Sequence, residues 1–374
     1  MRVAYYSPMP PERSGIADYS TLLVTALRRR VDVDVAQRNG DAKGDVALYH
    51  VGNDAEVHGW ILERLRRRPG VVVLHDFVLH HLVAGLTLGR KNPKAYLAAL
   101  ERDGGLAARL LGLGVIEGSI PPLWEVRPQD FPLCGEVLDL ATGVVVHSQY
   151  VEDRLRERGY GGPLRRIPMA AWPDPPAAVA EVEGSPLFGV FGHMNASKRV
   201  PQLLRAFARY RAANTDARLV LVGSADPALE LDWRIEQAGL ADAVAREDYV
   251  PGERLWALLR RVDASIALRA PTMGETSAVV IRALSAGTPL VVSDVGWFSE
   301  LPDDVALKVA PDEHEVDALV AAFEAVSRPE VREAMGARGR ELAETEHDLE
   351  RVADLYAAAL EEAARVPALS GARS

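Results

Sequence analysis

Four consecutive residues, Gly274, Glu275, Thr276 and Ser277, stand between an apolar run at 263–268 and a helical pattern. Past them, Val279, Val280, Ala283, Leu284 and Ala286 recur at helical spacing, which predicts a helix with Thr276 or Ser277 as its N-cap. Gly287 ends this helix, Pro289 opens a strand at 290–293, and an exposed aromatic loop with Trp297 and Phe298 is expected to follow. A helix that begins just past a strand end turns its free N–H groups and positive dipole end outward. Phosphate is the usual guest of such a start. Glu275 complicates that reading, because a carboxylate repels phosphate unless it faces a hydroxyl-rich group such as a sugar. The plainer alternative is a first-turn acid that favours the helix dipole.

A second strand-turn-helix pattern leaves the apolar run at 187–191, passes Gly192 and His193, and delivers Lys198 and Arg199 at a helix start. A positive charge there suits a diphosphate; a lysine merely solvated at a helix end is the bland alternative. Other clusters are weaker. Asp32 and Asp34 have the spacing of a two-acid metal motif but lie in an alternating strand. His75, Asp76, His80 and His81 are too close in sequence to converge, since neighbours on a helix point apart. No metal site is therefore expected, and no cofactor.

The elements that must position these groups alternate. Strands are predicted at 2–7, 31–36, 45–51, 71–75 and 142–147, with helices at 16–30, 55–68 and 92–111 between them and Gly15 at the first strand-to-helix turn. An irregular stretch at 112–132 offers Trp124 and Phe131 to line a pocket. Residues 168–186 are rich in proline and alanine and read as a linker. A second series has strands at 187–191, 218–222, 263–268, 290–293 and 305–309, then helices at 313–327, 330–346 and 348–365. Alternation of this kind gives parallel sheets with helices on both faces. The expectation is an α/β chain of two Rossmann-like, doubly wound domains facing across a cleft. They are an N-terminal domain at 1–170, a linker at 171–186 and a C-terminal domain at 187–347. A final helix at 348–366 crosses back through Leu349, Val352, Leu355, Tyr356 and Ala359, and a frayed tail follows Pro367.

Composition sets the outer limits. The 374 residues are 48% hydrophobic, enough for two cores, and the single cysteine, Cys134, excludes a disulfide framework and suits a reducing cytoplasm. No apolar run is long enough to span a bilayer, and residues 1–8 enter a strand directly instead of forming a signal peptide. The net charge of −10 is uneven: residues 1–180 hold 22 Lys and Arg against 21 Asp and Glu, leaving 21 against 32 for the rest. Such a balance argues against nucleic-acid binding. Arg28 to Arg30 and Arg64, Arg66, Arg67 and Arg68 sit at two helix ends, where the dipole accounts for them; contact with an anionic membrane surface is the sharper alternative.

Gly15, His75, the pair His147 and Ser148, the spacing from Gly192 to Lys198, Gly223 after its strand, and the stretch from Gly274 to Gly287 together resemble glycosyltransferase family 4. These are retaining nucleotide-sugar transferases of GT-B fold, and the resemblance covers nearly the whole chain. It implies a UDP- or GDP-sugar as substrate, a hydroxyl acceptor, a metal-independent reaction and a part in glycan biosynthesis. It also implies that Lys198 holds the donor diphosphate, that the Gly15 loop closes on the same group, and that His75 positions the sugar. Two departures stand out. The arginine expected after Gly192 is His193, with Arg199 as a substitute, and the two family acids fall on Gly274 and Arg282. Glu275 is then the shifted first acid and ribose recognition by Arg282 is open. The GETS turn followed by IRAL and DVGWFSELP resembles a sub-branch. A nucleotide-sugar epimerase and a degenerate, non-catalytic nucleotide- or partner-binding protein, which Arg282 favours, remain the alternatives.

Overall fold

Runs that are apolar at every position become central strands because both sheet faces are covered. In the computed structural model, which describes residues 1–12, 14–175 and 179–365, the strands Val46–Val51, Gly70–Leu74 and Leu187–Phe191 are buried at every residue. The chain forms two compact units. One comprises Met1–Met169, Met273–Thr276 and the chain from Leu349 on; the other comprises Ala170–Thr272 and Ser277–Asp348.

In the first unit the strands are β1 (Arg2–Tyr6), β2 (Asp32–Val35), β3 (Val46–Val51), β4 (Gly70–Leu74), β5 (Ala141–Val146) and β6 (Leu164–Arg166). They pair in parallel in the order β2-β1-β3-β4-β5-β6. Its helices are α1 (Gly15–Leu27), α2 (Ala55–Arg67), α3 (His80–Thr87), α4 (Pro93–Ile116), α5 (Leu123–Val126), α6 (Gly135–Leu140) and α7 (Gln149–Glu157). α4 runs past the expected end and kinks at Gly104 and Gly105, the latter at φ 67°. α5 lies within the stretch read as irregular. There Trp124 lies tilted against His80 and edge-on to Tyr96 and Phe131 is buried, so both fill a small core instead of lining a pocket.

The second unit has β7 (Leu187–Phe191), β8 (Arg218–Val222), β9 (Val244–Glu247), β10 (Ala264–Ala267), β11 (Leu290–Ser293) and β12 (Ala306–Val309). They are parallel in the order β12-β11-β10-β7-β8-β9. Its helices are α8 (Val200–Arg211), α9 (Leu231–Gln237), α10 (Gly252–Arg261), α11 (Ala278–Ala286), α12 (Glu315–Val326) and α13 (Pro329–Thr345). Phe188, Phe207, Tyr210 and Phe323 form an aromatic centre on the helix face of β7.

Three boundaries differ from the sequence reading. Residues of the supposed linker are tied along the second unit: Ala180 N donates to Ala257 O at 3.1 Å, and Arg260 and Arg261 donate to Asp174 and to Gly184 O. The turn Met273–Thr276 packs within the first unit, through Val78 N to Met273 O at 2.9 Å. Trp297 and Phe298, expected on an exposed loop, are 4% and 1% exposed in a 3₁₀ turn at Gly296–Glu300.

The last helix, α14 (Leu349–Arg365), packs on α1 in the first unit and buries Val352, Ala353, Tyr356 and Leu360, with Leu355 partly exposed. Glu350 and Asp354 on α14 pair with Arg29 and Arg30, while Arg64 and Arg66 pair with Asp41 and Glu136. Four of the arginines in the two clusters, Arg29, Arg30, Arg64 and Arg66, thus make ion pairs within the first unit. No helix among the described residues is long and apolar enough to cross a membrane. The expected tail beyond Pro367 lies outside the described residues.

Candidate functional site

Two glycines end neighbouring strands of the second unit. Gly192 follows β7 at φ 90° and Gly223 follows β8 at φ 130°; a Cβ on Gly223 would stand 2.5 Å from the Gly192 carbonyl oxygen. The two loops therefore pack backbone on backbone, which L side chains forbid. Beyond Gly192 the chain makes a 3₁₀ turn at Ala196–Lys198, so Lys198 precedes α8 instead of opening it. Its ammonium donates to the Phe191 carbonyl, folding back over the end of β7. His193 is exposed, its Nδ1 2.9 Å from Ser224 Oγ.

Across the same sheet, Ser277 is the N-cap of α11, accepting from Val280 N, and Gly287 closes the helix in the left-handed region at φ 68°. Phe191, Lys198, Ala267, Arg269, Ser277 and Phe298 line one small cavity at the carboxyl ends of β7 and β10. At about 10 Å³ it admits no more than a water. In an open parallel sheet this is where ligands bind.

Arg199 does not join this group. It adopts a left-handed conformation at φ 56° and directs its guanidinium at Glu315, whose carboxylate is buried at the start of α12 with both oxygens 3.1 Å from Arg199 Nε. As a phosphate contact it is therefore corrected to a structural ion pair. Arg282 is 7% exposed, and its guanidinium lies 3.8 Å from the ring centre of Trp172. The position on which the resemblance would place a second acid thus holds a cation stacked on an aromatic face.

The remaining expected residues lie in the first unit. Gly274 has φ 81°, and a Cβ there would meet Phe77 Cβ at 2.6 Å, so the turn needs glycine to sit against the end of β4. Glu275 Oε2 accepts from Met273 N at 2.7 Å, and Thr276 is buried with no hydrogen-bond partner for its hydroxyl. Gly15 is the first residue of α1, with Ser14 as N-cap accepting from Ala17 N at 3.0 Å.

His75 sits at the end of β4, 5% exposed, with Nε2 2.9 Å from His50 Nδ1. Tyr19 meets its ring edge-on, and the His147 ring centre is 5.0 Å away. His147 is fixed by Ile167 O at 2.8 Å, and Ser148 caps α7. Burial, then the neighbouring His147 and His50, holds the His75 pKa well below the usual imidazole value, so this ring is neutral. Nδ1 of His75 and Nε2 of His50 have no partner in this buried cluster.

The discounted clusters disperse. Arg2 pairs with Asp32 at 3.3 Å and with Asp34 at 3.2 Å. Asp76 accepts from Asn53 N, His80 contacts Phe131 O and Tyr96 OH, and His81 contacts Asn53. No His, Cys, Asp and Glu group among the described residues is arranged to hold a metal. A larger cavity of about 230 Å³ between α2, α3 and α4 contains none of the expected site residues. Sequence reasoning passed over Arg269 and His50. Arg269 directly follows the apolar run at 263–268, and a charged residue at the carboxyl end of a buried strand was the available signal.

Comparisons with known proteins bear on the fold. A 2-deoxystreptamine glucosyltransferase of Streptomyces kanamyceticus is 26% identical over 157 residues, which cover 39% of this chain and 39% of that protein. The match thus spans about two fifths of the curated relative's length. A sucrose-phosphate synthase structure from Thermosynechococcus elongatus aligns with a TM-score of 0.67 at 17% identity over 97% of this chain and 98% of that one. Anabaena HepE in complex with UDP aligns with a TM-score of 0.58 at 13% identity over 97% and 100%. At such identities the likeness carries the fold, two parallel-sheet α/β domains of GT-B type. Residues 175–342, which hold the cavity, Lys198 and the capped start of α11, match the family described as Glycosyl transferases group 1.

Proposed function

We propose that the protein is a retaining glycosyltransferase of family 4, in a branch marked by the GETS turn, that moves a hexosyl group from a UDP- or GDP-sugar to a hydroxyl of a polysaccharide, glycolipid or metabolite. The observation that carries this is the single cavity at the ends of β7 and β10 into which both Lys198 and the Ser277-capped start of α11 contribute. A cation and a helix N-terminus together suit a diphosphate. UDP bound to a GT-B neighbour, HepE, and the glucosyltransferase relative support a nucleotide donor and a hexose.

In this reading the acceptor oxygen bonds to the anomeric carbon as the bond from that carbon to the diphosphate breaks. The acceptor's proton passes to the departing phosphate oxygen on the same face, so no side-chain base and no metal is needed. Lys198 and the α11 start hold the charge that develops on the leaving group. His75, kept neutral by burial, positions sugar hydroxyls by hydrogen bonding, and Glu275 orients the sugar from its turn. The reaction belongs on the cytoplasmic side, where nucleotide sugars are made. A nucleotide-binding protein without transfer is the second reading, favoured by Arg282 stacked on Trp172 where an acid would hold ribose.

Calorimetric titration with a panel of UDP- and GDP-sugars, with slow donor hydrolysis followed in parallel, tests both. Binding plus hydrolysis is expected, and Lys198→Ala should weaken binding about 10- to 100-fold, as loss of a charge-assisted contact implies. Binding without any hydrolysis or transfer would favour the second reading. Lys198→Ala affinity equal to wild type would remove the cavity from the donor site.

A further inference from the structure

α4 carries apolar residues on two opposite faces, and the fold uses only one of them. The helix kinks at Gly104 and Gly105, and beyond that point it folds back on its own first half: a Cβ on Gly112 would stand 2.4 Å from Leu100 Cδ1 and 3.0 Å from Leu97 Cδ2. Ala108, Leu111 and Val115 share this inward face and pack into the small core around Tyr96 and Phe131. At 3.6 residues per turn, Leu106, Leu110 and Leu113 fall in one stripe on the opposite side. They are 65%, 57% and 36% exposed, and Ile116 near them is 39% exposed. A surface helix ordinarily turns charged and polar residues outward, whereas one that is apolar all round belongs in an interior. The outward stripe is thus an interior-type face with no cover among the described residues.

The charges around the stripe decide what covers it. Residues 101–127 hold three arginines and four acids. An anionic lipid surface is recognised by clusters of about four to eight basic residues, so this face is not suited to one. An apolar centre with a rim of both charge signs is instead the make-up of a protein interface. The charge also runs in order along the arm. Arg102 stands at the kink end, its side chain half-exposed and 4.0 Å from exposed Asp139, while Glu117 caps the other end. Placed antiparallel to itself about a two-fold axis near Leu110, the arm sets Leu106 on the partner's Leu113, Leu110 on the partner's Leu110 and Glu117 toward the partner's Arg102. A parallel placement would set Glu117 against Glu117. We infer that the second half of α4 is a self-complementary interface through which two copies of this chain pair in antiparallel fashion. The stripe falls well short of the roughly 20–30 residues a side of a standard interface, so the pair dissociates in the micromolar range.

Sedimentation velocity of the full chain from about 1 to about 200 µM tests this, and wild type should pass from monomer to dimer within that range. Leu110→Glu alters an exposed position, so it should keep the wild-type thermal unfolding while weakening dimerisation about 30-fold or more. Glu117→Arg should weaken it about 3- to 10-fold, and adding Arg102→Glu should recover most of that loss. A short bismaleimide reads the register, because Cys134, the one native cysteine, is buried. Leu110→Cys should crosslink to its own copy, and Leu106→Cys should crosslink with Leu113→Cys in an equimolar mixture. Leu106→Cys crosslinking to itself in preference would mean a parallel pair and overturn the inference. A wild type still monomeric at the highest concentration, or a dimer that Leu110→Glu leaves intact, overturns it as well. So does a monomer that floats with phosphatidylglycerol or phosphatidylcholine vesicles and loses them in Leu110→Glu, since the stripe would then be a lipid contact.

Discussion

Acid should unfold the first unit before it harms anything else. Five buried histidines sit there, and four of them, His50, His58, His75 and His80, are shifted in the same direction. Burial lowers His58 to about 4 and His80 to about 4, and it holds His50 and His75 well below the ordinary imidazole range, with nearby histidines adding to the effect. Each folded-state value lies below the unfolded value of about 6.5, so the stability these rings confer is complete above that pH and is lost as pH falls toward the folded values. Between pH 7 and pH 5 the unfolded chain takes up a proton at each ring and the folded chain does not. For His58 and His80 alone this costs about 2 kcal/mol each, about 4 kcal/mol together, and His50 and His75 add in the same sense. The carboxylates offer no matching compensation. Glu136 is lowered by Arg66 while Asp103 is raised by burial, so their shifts oppose one another.

A domain's whole stability is about 5–15 kcal/mol, so this loss is large. Urea unfolding at pH 7 and pH 5, with hydrogen exchange to separate the two units, measures it. At about 2–3 kcal/mol per molar urea, the first unit's midpoint should fall by about 1.5–2 M. A midpoint that moves by less than about 0.3 M, or equal loss of protection in both units, would refute the claim that these rings are buried neutral.

Two further substitutions separate structural from ligand-binding roles. Gly274→Ala combines a left-handed φ of 81° with a Cβ 2.6 Å from Phe77, so thermal unfolding should show the first unit destabilised by about 2–3 kcal/mol; a change under about 0.5 kcal/mol would mean that the turn does not dock on Phe77. Arg199→Ala leaves the buried Glu315 carboxylate unpaired, at a cost of about 3 kcal/mol in chemical denaturation, with nucleoside diphosphate affinity of the folded protein unchanged. Loss of affinity without loss of stability would return Arg199 to the phosphate site.

What the sequence disclosed and what it hid divide along a physical line. The interior strands β3, β4, β7 and β11 are legible because burial on both faces favours runs that are almost wholly apolar. β6, with the sequence LRR, and β9, with VARE, are edge strands whose charges keep the sheet from pairing further, and the same charges hide them from a hydropathy reading. The ends of α11 are legible too, because Ser277 and Gly287 act within one helical turn. Nothing local could reveal where Gly274 docks, since its partners Phe77 and Val151 come from distant parts of the chain. The same holds for the cations. Lys198 and Arg199 look equally suited to a phosphate until Glu315, 116 positions beyond Arg199, claims one of them. Charge type is a local property, but which cation is drawn into an ion pair depends on a distant buried carboxylate that must be neutralised. The substitution that turns that carboxylate neutral, Glu315→Gln, should therefore free Arg199 without exposing a buried charge. Nucleoside diphosphate affinity that rises in Glu315→Gln would show the freed guanidinium reaching the phosphate, and unchanged affinity would leave Arg199 outside the site.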